Sequence, residues 1–104
     1  MQIGKLVRDK IPELIERSGK KPIYRILNEA EYKEALEKKL DEEVAEWHES
    51  KSLEELIDII EVLEAIRIAY GYSRSCVSIR GSYKNATKGG FGLQIFLEEV
   101  KENV

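Results

Sequence analysis

The sequence predicts an all-α fold, a helical bundle of about four helices. Three observations carry that prediction. From position 29 to 49, apolar residues recur at intervals of three and four, the spacing of one helical face. From 53 to 70 the chain is apolar almost all round, as a helix at the centre of a bundle or in an oligomer interface would be. Polar residues that cap helix N-termini, Asn28, Ser52 and Ser73, stand at the head of the second, third and fourth segments.

The elements follow in order. Pro12 suits an early helical position and Gly19 a stop, so a short helix with Ile11, Leu14 and Ile15 on its apolar side is expected between them. KKPIYRIL (20–27) favours an extended run. Asn28 with Glu31 three residues on makes a capping box, and a long helix over 29–49 follows. Ser52 with Glu55 repeats the pattern before the helix of 53–70, which Gly71 closes. Ser73 caps a fourth helix running to about Thr87, weakened by Ser78, Gly81 and Ser82. In 92–97, Leu93, Ile95 and Leu97 alternate, and pairing with 21–27 would close a small two-stranded ribbon.

Length and composition bound the function. A chain of 104 residues is expected to be one domain, 1–104, with a modest core that gains from association as a homodimer or higher homo-oligomer. A net charge of −3 argues against nucleic-acid or anionic-membrane binding as the main role. No apolar run spans a bilayer and no signal-peptide pattern opens the chain. Cys76 is the only cysteine, which fits a reducing, cytoplasmic setting and a buried structural thiol. His48 is the only histidine and reads as a surface residue, with no second His or Cys at zinc spacing. Neither a dinucleotide-binding glycine loop nor a P-loop occurs, and the aromatics are not interleaved with basic residues as single-strand binders need.

The chemistry lies between positions 40 and 58, LDEEVAEWHESKSLEELID. Glu43 with Glu46, and Glu55 with Asp58, are carboxylate pairs three residues apart, hence neighbours on a helix surface. Like charges at that spacing repel, and a hard cation such as Mg²⁺ relieves them. Solvated acidic faces are the competing reading. At about 100° per residue, Leu36, Leu40, Val44 and Trp47 form one stripe, with Glu43 near its middle and Glu46 at its flank. Glu55 and Asp58 share an arc with Ile59, Val62, Ala65 and Ala69, whereas Glu54, Glu61 and Glu64 face elsewhere. Carboxylates set into apolar faces are costly unless paired or metal-bound. Glu55 also has a rival task, reaching back to the Ser52 N–H as a capping-box partner.

Two basic groups stand apart from this stretch. Arg8, Asp9 and Lys10 are either solvated charges or reach an anionic ligand. Lys84 and Lys88 lie one helical turn apart before Gly89-Gly90-Phe91, where the glycines either end a helix or let backbone approach a ligand.

Together these residues resemble a known family. Glu42-Glu43-Val-Ala-Glu46 followed by Glu55-Leu-Ile-Asp58 is similar to the E-E-x-x-E … E-x-x-D signature of the all-α nucleoside triphosphate pyrophosphohydrolases, the MazG-like and phosphoribosyl-ATP pyrophosphohydrolase-like superfamily. KLVRDKIPELI (5–15), the two acidic helices and KGGF (88–91) resemble its small stand-alone members along nearly the whole chain.

The resemblance implies a helical homodimer or higher oligomer. It also implies a Mg²⁺-dependent enzyme, with Mn²⁺ as a substitute, that splits a nucleotide between its α- and β-phosphates and releases pyrophosphate. By position Glu43, Glu46, Glu55 and Asp58 would be metal ligands, and Glu42 and Glu46 catalytic. Lys84, Lys88 and Arg8 would contact phosphate, and Asp9 matches the N-terminal run without a role of its own. The expected function is a housekeeping nucleoside triphosphate pyrophosphohydrolase. The alternatives are hydrolysis of phosphoribosyl-ATP in histidine biosynthesis and a non-catalytic helical oligomerisation or binding module.

Overall fold

The structure, a computed structural model, describes residues 4–102. It contains four helices and, among the described residues, no strand: α1 (Ile11–Arg17), α2 (Glu29–Ser50), α3 (Leu53–Ala69) and α4 (Arg74–Lys88). The protein is all-α, as its periodicity predicts. The chain divides into two compact units, one ending at Gly71 and one beginning at Tyr72.

In the first unit, α1 opens with Pro12 in its first turn, and Gly19 follows its end at φ 89°, a conformation in which other residues are strained. The capping box expected ahead of α2 is present. The Asn28 side chain accepts the Glu31 N–H at 2.9 Å, and the Glu31 carboxylate accepts the Asn28 N–H at 3.3 Å. Arg25 grips that carboxylate through both terminal nitrogens, at 2.8 and 3.1 Å.

α2 and α3 pack against each other as a helical hairpin with a two-residue connection. Lys51 turns the chain in the left-handed region at φ 54°, its N–H donating to the Trp47 carbonyl at 2.8 Å. The faces are those expected from rotation. Leu36 of α2 and Val62 of α3 are buried, flanked by half-buried Leu40, Val44, Trp47, Ile59, Ala65 and Ala69. The opposite side of α3 carries Leu56, Ile57, Ile60, Leu63 and Ile68, all exposed. Among the described residues, no element of the first unit covers them.

The second unit contains α4, which Ser73 caps by accepting the Cys76 N–H at 3.1 Å. It runs to Lys88, one residue beyond the expected end, and Gly89 at φ 81° follows. The small residues inside it, Ser78, Gly81 and Ser82, do not interrupt it.

Two expectations are corrected. The ribbon between 21–27 and 92–97 does not form. Pro22 has no N–H to give a ladder, and Gln94, at φ 60°, breaks the extended alternation on the other side. A bare two-stranded pair is also marginal unless an apolar face supports it, and Ile23, Ile26, Leu93 and Ile95 all lie exposed. Cys76, expected as a buried thiol, is exposed in the first turn of α4. No residue of α4 is buried, because its unit holds no second helix against which a face could pack.

Among the described residues, no helix is long and apolar enough to cross a membrane.

Candidate metal centre

Three carboxylates meet where α2 and α3 face one another. Glu43 of α2 and Glu55 and Asp58 of α3 each offer one oxygen, all within 4.8 Å of one another. The α3 residues share a face because they are three apart. Glu43 joins them because the hairpin turns its stripe, two turns beyond Leu36, toward α3.

Glu43 is 5% exposed, a buried carboxylate. Its Oε1 accepts an ion pair from the Lys39 ammonium, at 3.2 Å one helical turn earlier. Its Oε2 is buried with no hydrogen-bond partner, and so is Oε2 of Glu55. Burial is the largest influence on Glu43 and pushes its carboxyl above the usual range; Lys39 pulls it down, and the negative charge of Glu46 pushes it up further.

The rival task expected for Glu55 falls to another side chain. The Ser52 Oγ accepts the Glu55 N–H at 3.3 Å, but the Ser52 N–H donates to Ser50 Oγ, also at 3.3 Å. Two serines therefore accept both of these N–H groups, and the Glu55 carboxylate stays with Glu43 and Asp58.

The remaining site residues take different places. Glu46 is half-buried beside Glu43 but outside the converging trio. Glu42 is held by two lysines, Lys5 at 3.2 Å and Lys39 at 3.5 Å. Arg8 points into the acidic cluster, its Nη2 donating to Asp58 Oδ1 at 2.7 Å. That hydrogen bond chiefly raises the Arg8 pKa, and the charges of Asp58, Glu61 and Glu43 add to it. Asp9 is exposed. Lys84 and Lys88 are exposed on the last turns of α4, in the second unit. His48 is exposed, as its isolation in the sequence suggested.

Two participants escaped sequence reasoning. Lys39 had a usable signal, since it precedes Glu43 by four residues and Glu42 by three. Lys5 had none, because it lies 37 positions from Glu42.

The arrangement suits a hard cation. Oxygen donors from two helices converge, and two buried carboxylate oxygens lack any donor, the condition under which burying charge is most costly.

Comparison with known proteins adds little to this geometry. No family model matches the chain, and no solved structure matches it. An uncharacterized protein of Mycolicibacterium smegmatis is 59% identical over 44 residues, which are 42% of this chain and 45% of that protein. The chain thus spans less than half the length of that relative.

Proposed function

We propose that the protein is a MazG-like, Mg²⁺-dependent nucleotide pyrophosphohydrolase that cleaves a nucleoside triphosphate between its α- and β-phosphates. The observation that carries this reading is the trio Glu43, Glu55 and Asp58 with its two buried, unpartnered oxygens. The motif resemblance along the chain supplies the reaction class.

Glu43, Glu55 and Asp58 would hold the ion, with Mn²⁺ as a substitute for Mg²⁺. When bound, the cation supplies charge neutralisation for phosphate oxygens and acidifies a water for attack. Mg²⁺ keeps several waters and takes substrate oxygens, so three carboxylates are ample for one ion. Glu46, beside the trio but outside it, would orient water rather than complete the ligand set. Lys39 fixes Glu43 through Oε1, which leaves Oε2 without a partner. Glu42, held by Lys5 and Lys39, orients the surroundings of the site. Arg8 supplies positive charge at its rim for an anionic substrate. Lys84 and Lys88 are the further phosphate-binding candidates, and a homodimer or higher homo-oligomer is the proposed assembly.

The deciding experiment measures pyrophosphate release from a panel of nucleoside triphosphates and phosphoribosyl-ATP, with Mg²⁺ and with chelator. Mg²⁺-dependent release of pyrophosphate and a monophosphate is expected, lost in Glu43→Gln while helix content by circular dichroism is kept. A folded protein that releases nothing from any of them would overturn the enzymatic reading in favour of a binding module.

A further inference from the structure

Glu43, Glu55 and Asp58 converge between α2 and α3, with Glu46 half-buried beside Glu43 and Glu42 preceding it on α2. Lys39, on α2 itself, neutralises part of this charge. The other two positive groups come from one short segment ahead of α1. Lys5 reaches Glu42 of α2 at 3.2 Å, and Arg8, three residues later, reaches Asp58 of α3 at 2.7 Å. The segment thereby ties the two acidic helices together at the edge of the cluster. It has no helix or strand of its own, and both cationic side chains are about half exposed, at 48% and 55%.

Asp58 therefore has two claimants. It is a member of the trio proposed to hold the divalent cation, and it is the acceptor of the Arg8 guanidinium. The carboxylate cannot serve both at full strength, since each partner draws on the same negative charge. We infer that Arg8 is an exchangeable counter-ion of this cluster: it neutralises Asp58 while the cation is absent and yields Asp58 when a divalent cation enters.

The inference rests on the metal-centre reading above and deepens it. Two properties of the pair favour exchange over permanence. The pair is exposed to solvent, and ion pairs of that kind are weak. Its basic member sits on irregular backbone, so its release disrupts no helix. Once displaced, the guanidinium has all its donors free for an anion arriving with the cation. A single residue thus covers a charge in one state and meets substrate in the other.

The test is calorimetric titration of the whole chain with Mn²⁺, without nucleotide, for the natural protein and for Arg8→Ala, Lys5→Ala and Glu43→Gln. Removing a competing, exposed ion pair is expected to tighten Mn²⁺ binding about two- to fivefold in Arg8→Ala. Lys5→Ala, whose partner Glu42 lies outside the trio, is expected to change it less. Equal or weaker Mn²⁺ binding by Arg8→Ala, with Glu43→Gln impaired, would overturn the exchange and leave the metal centre standing. Equal binding by the natural protein and Glu43→Gln would overturn the metal centre, and the exchange with it.

Discussion

Glu43 is the residue at which stability and proposed function oppose each other. Its carboxylate is buried, pushed toward the protonated form, and paired with Lys39. A carboxyl whose folded pKa lies above its unfolded value binds its proton more tightly in the folded state. Stability then falls as pH rises from the ordinary carboxylate range through the raised pKa, and stays low above it. The cation-free protein is therefore expected to lose thermal stability across that window. Glu43→Gln, which keeps the shape and removes the charge, should flatten the loss and stabilise the protein at neutral pH by about 1–2 kcal/mol. Thermal melts in chelator at several pH values measure this directly. Mg²⁺ should raise the melting temperature of the natural protein and leave that of the variant unmoved. A variant less stable than the natural chain in chelator would mean that Lys39 already compensates Glu43 in full.

At the scale of elements, α2 is fixed at its start by a device readable in the sequence. Asn28 and Glu31 form the expected capping box, and Arg25 adds a grip on Glu31 from outside the helix. The Arg25 hydrogen bond, and then the backbone N–H of Asn28, hold the Glu31 carboxyl below its usual pKa. Its contribution is present above the ordinary carboxylate range and is lost as pH falls through the lowered value, a window opposite in sign to that of Glu43. Asn28→Ala should cost about 1 kcal/mol, seen as a lower denaturant midpoint with an unchanged slope. An unchanged midpoint would show that Arg25 alone anchors the helix start. Caps and faces were legible because both depend on spacing within one helix: by rotation Glu43 falls about 20° from Leu36, and Glu55 and Asp58 fall beside Val62 likewise. The ribbon was not legible, because alternation in 92–97 says nothing of a partner strand, and a left-handed Gln94 is invisible in residue type. Arg8 could be seen as basic but not as the partner of Asp58, since a separation of 50 positions carries no local signal.

At the scale of the molecule, the first unit has too little interior for the apolar residues it carries. Leu36 and Val62 are its buried hydrophobic residues, while Leu56, Ile57, Ile60, Leu63 and Ile68 of α3 stay exposed. A helix apolar on every side gains by burying its second face against another surface, and a small core leaves much to be gained. Assembly of copies through this face is the proposed use of it, and Ile60 and Leu63 test it best, since they are 56% and 49% exposed and neither belongs to the acidic trio. In an isolated unit, charged substitutions at exposed positions typically change stability by no more than about 0.5 kcal/mol. In a face shared between copies, the same charges would be stranded without partners, where each costs far more. The double variant Ile60→Glu, Leu63→Glu is thus expected to keep its helix content but to run as a monomer in light scattering, where the natural chain runs as a dimer or larger. A natural chain that is itself a monodisperse monomer at micromolar concentration would leave the apolar side of α3 without this explanation.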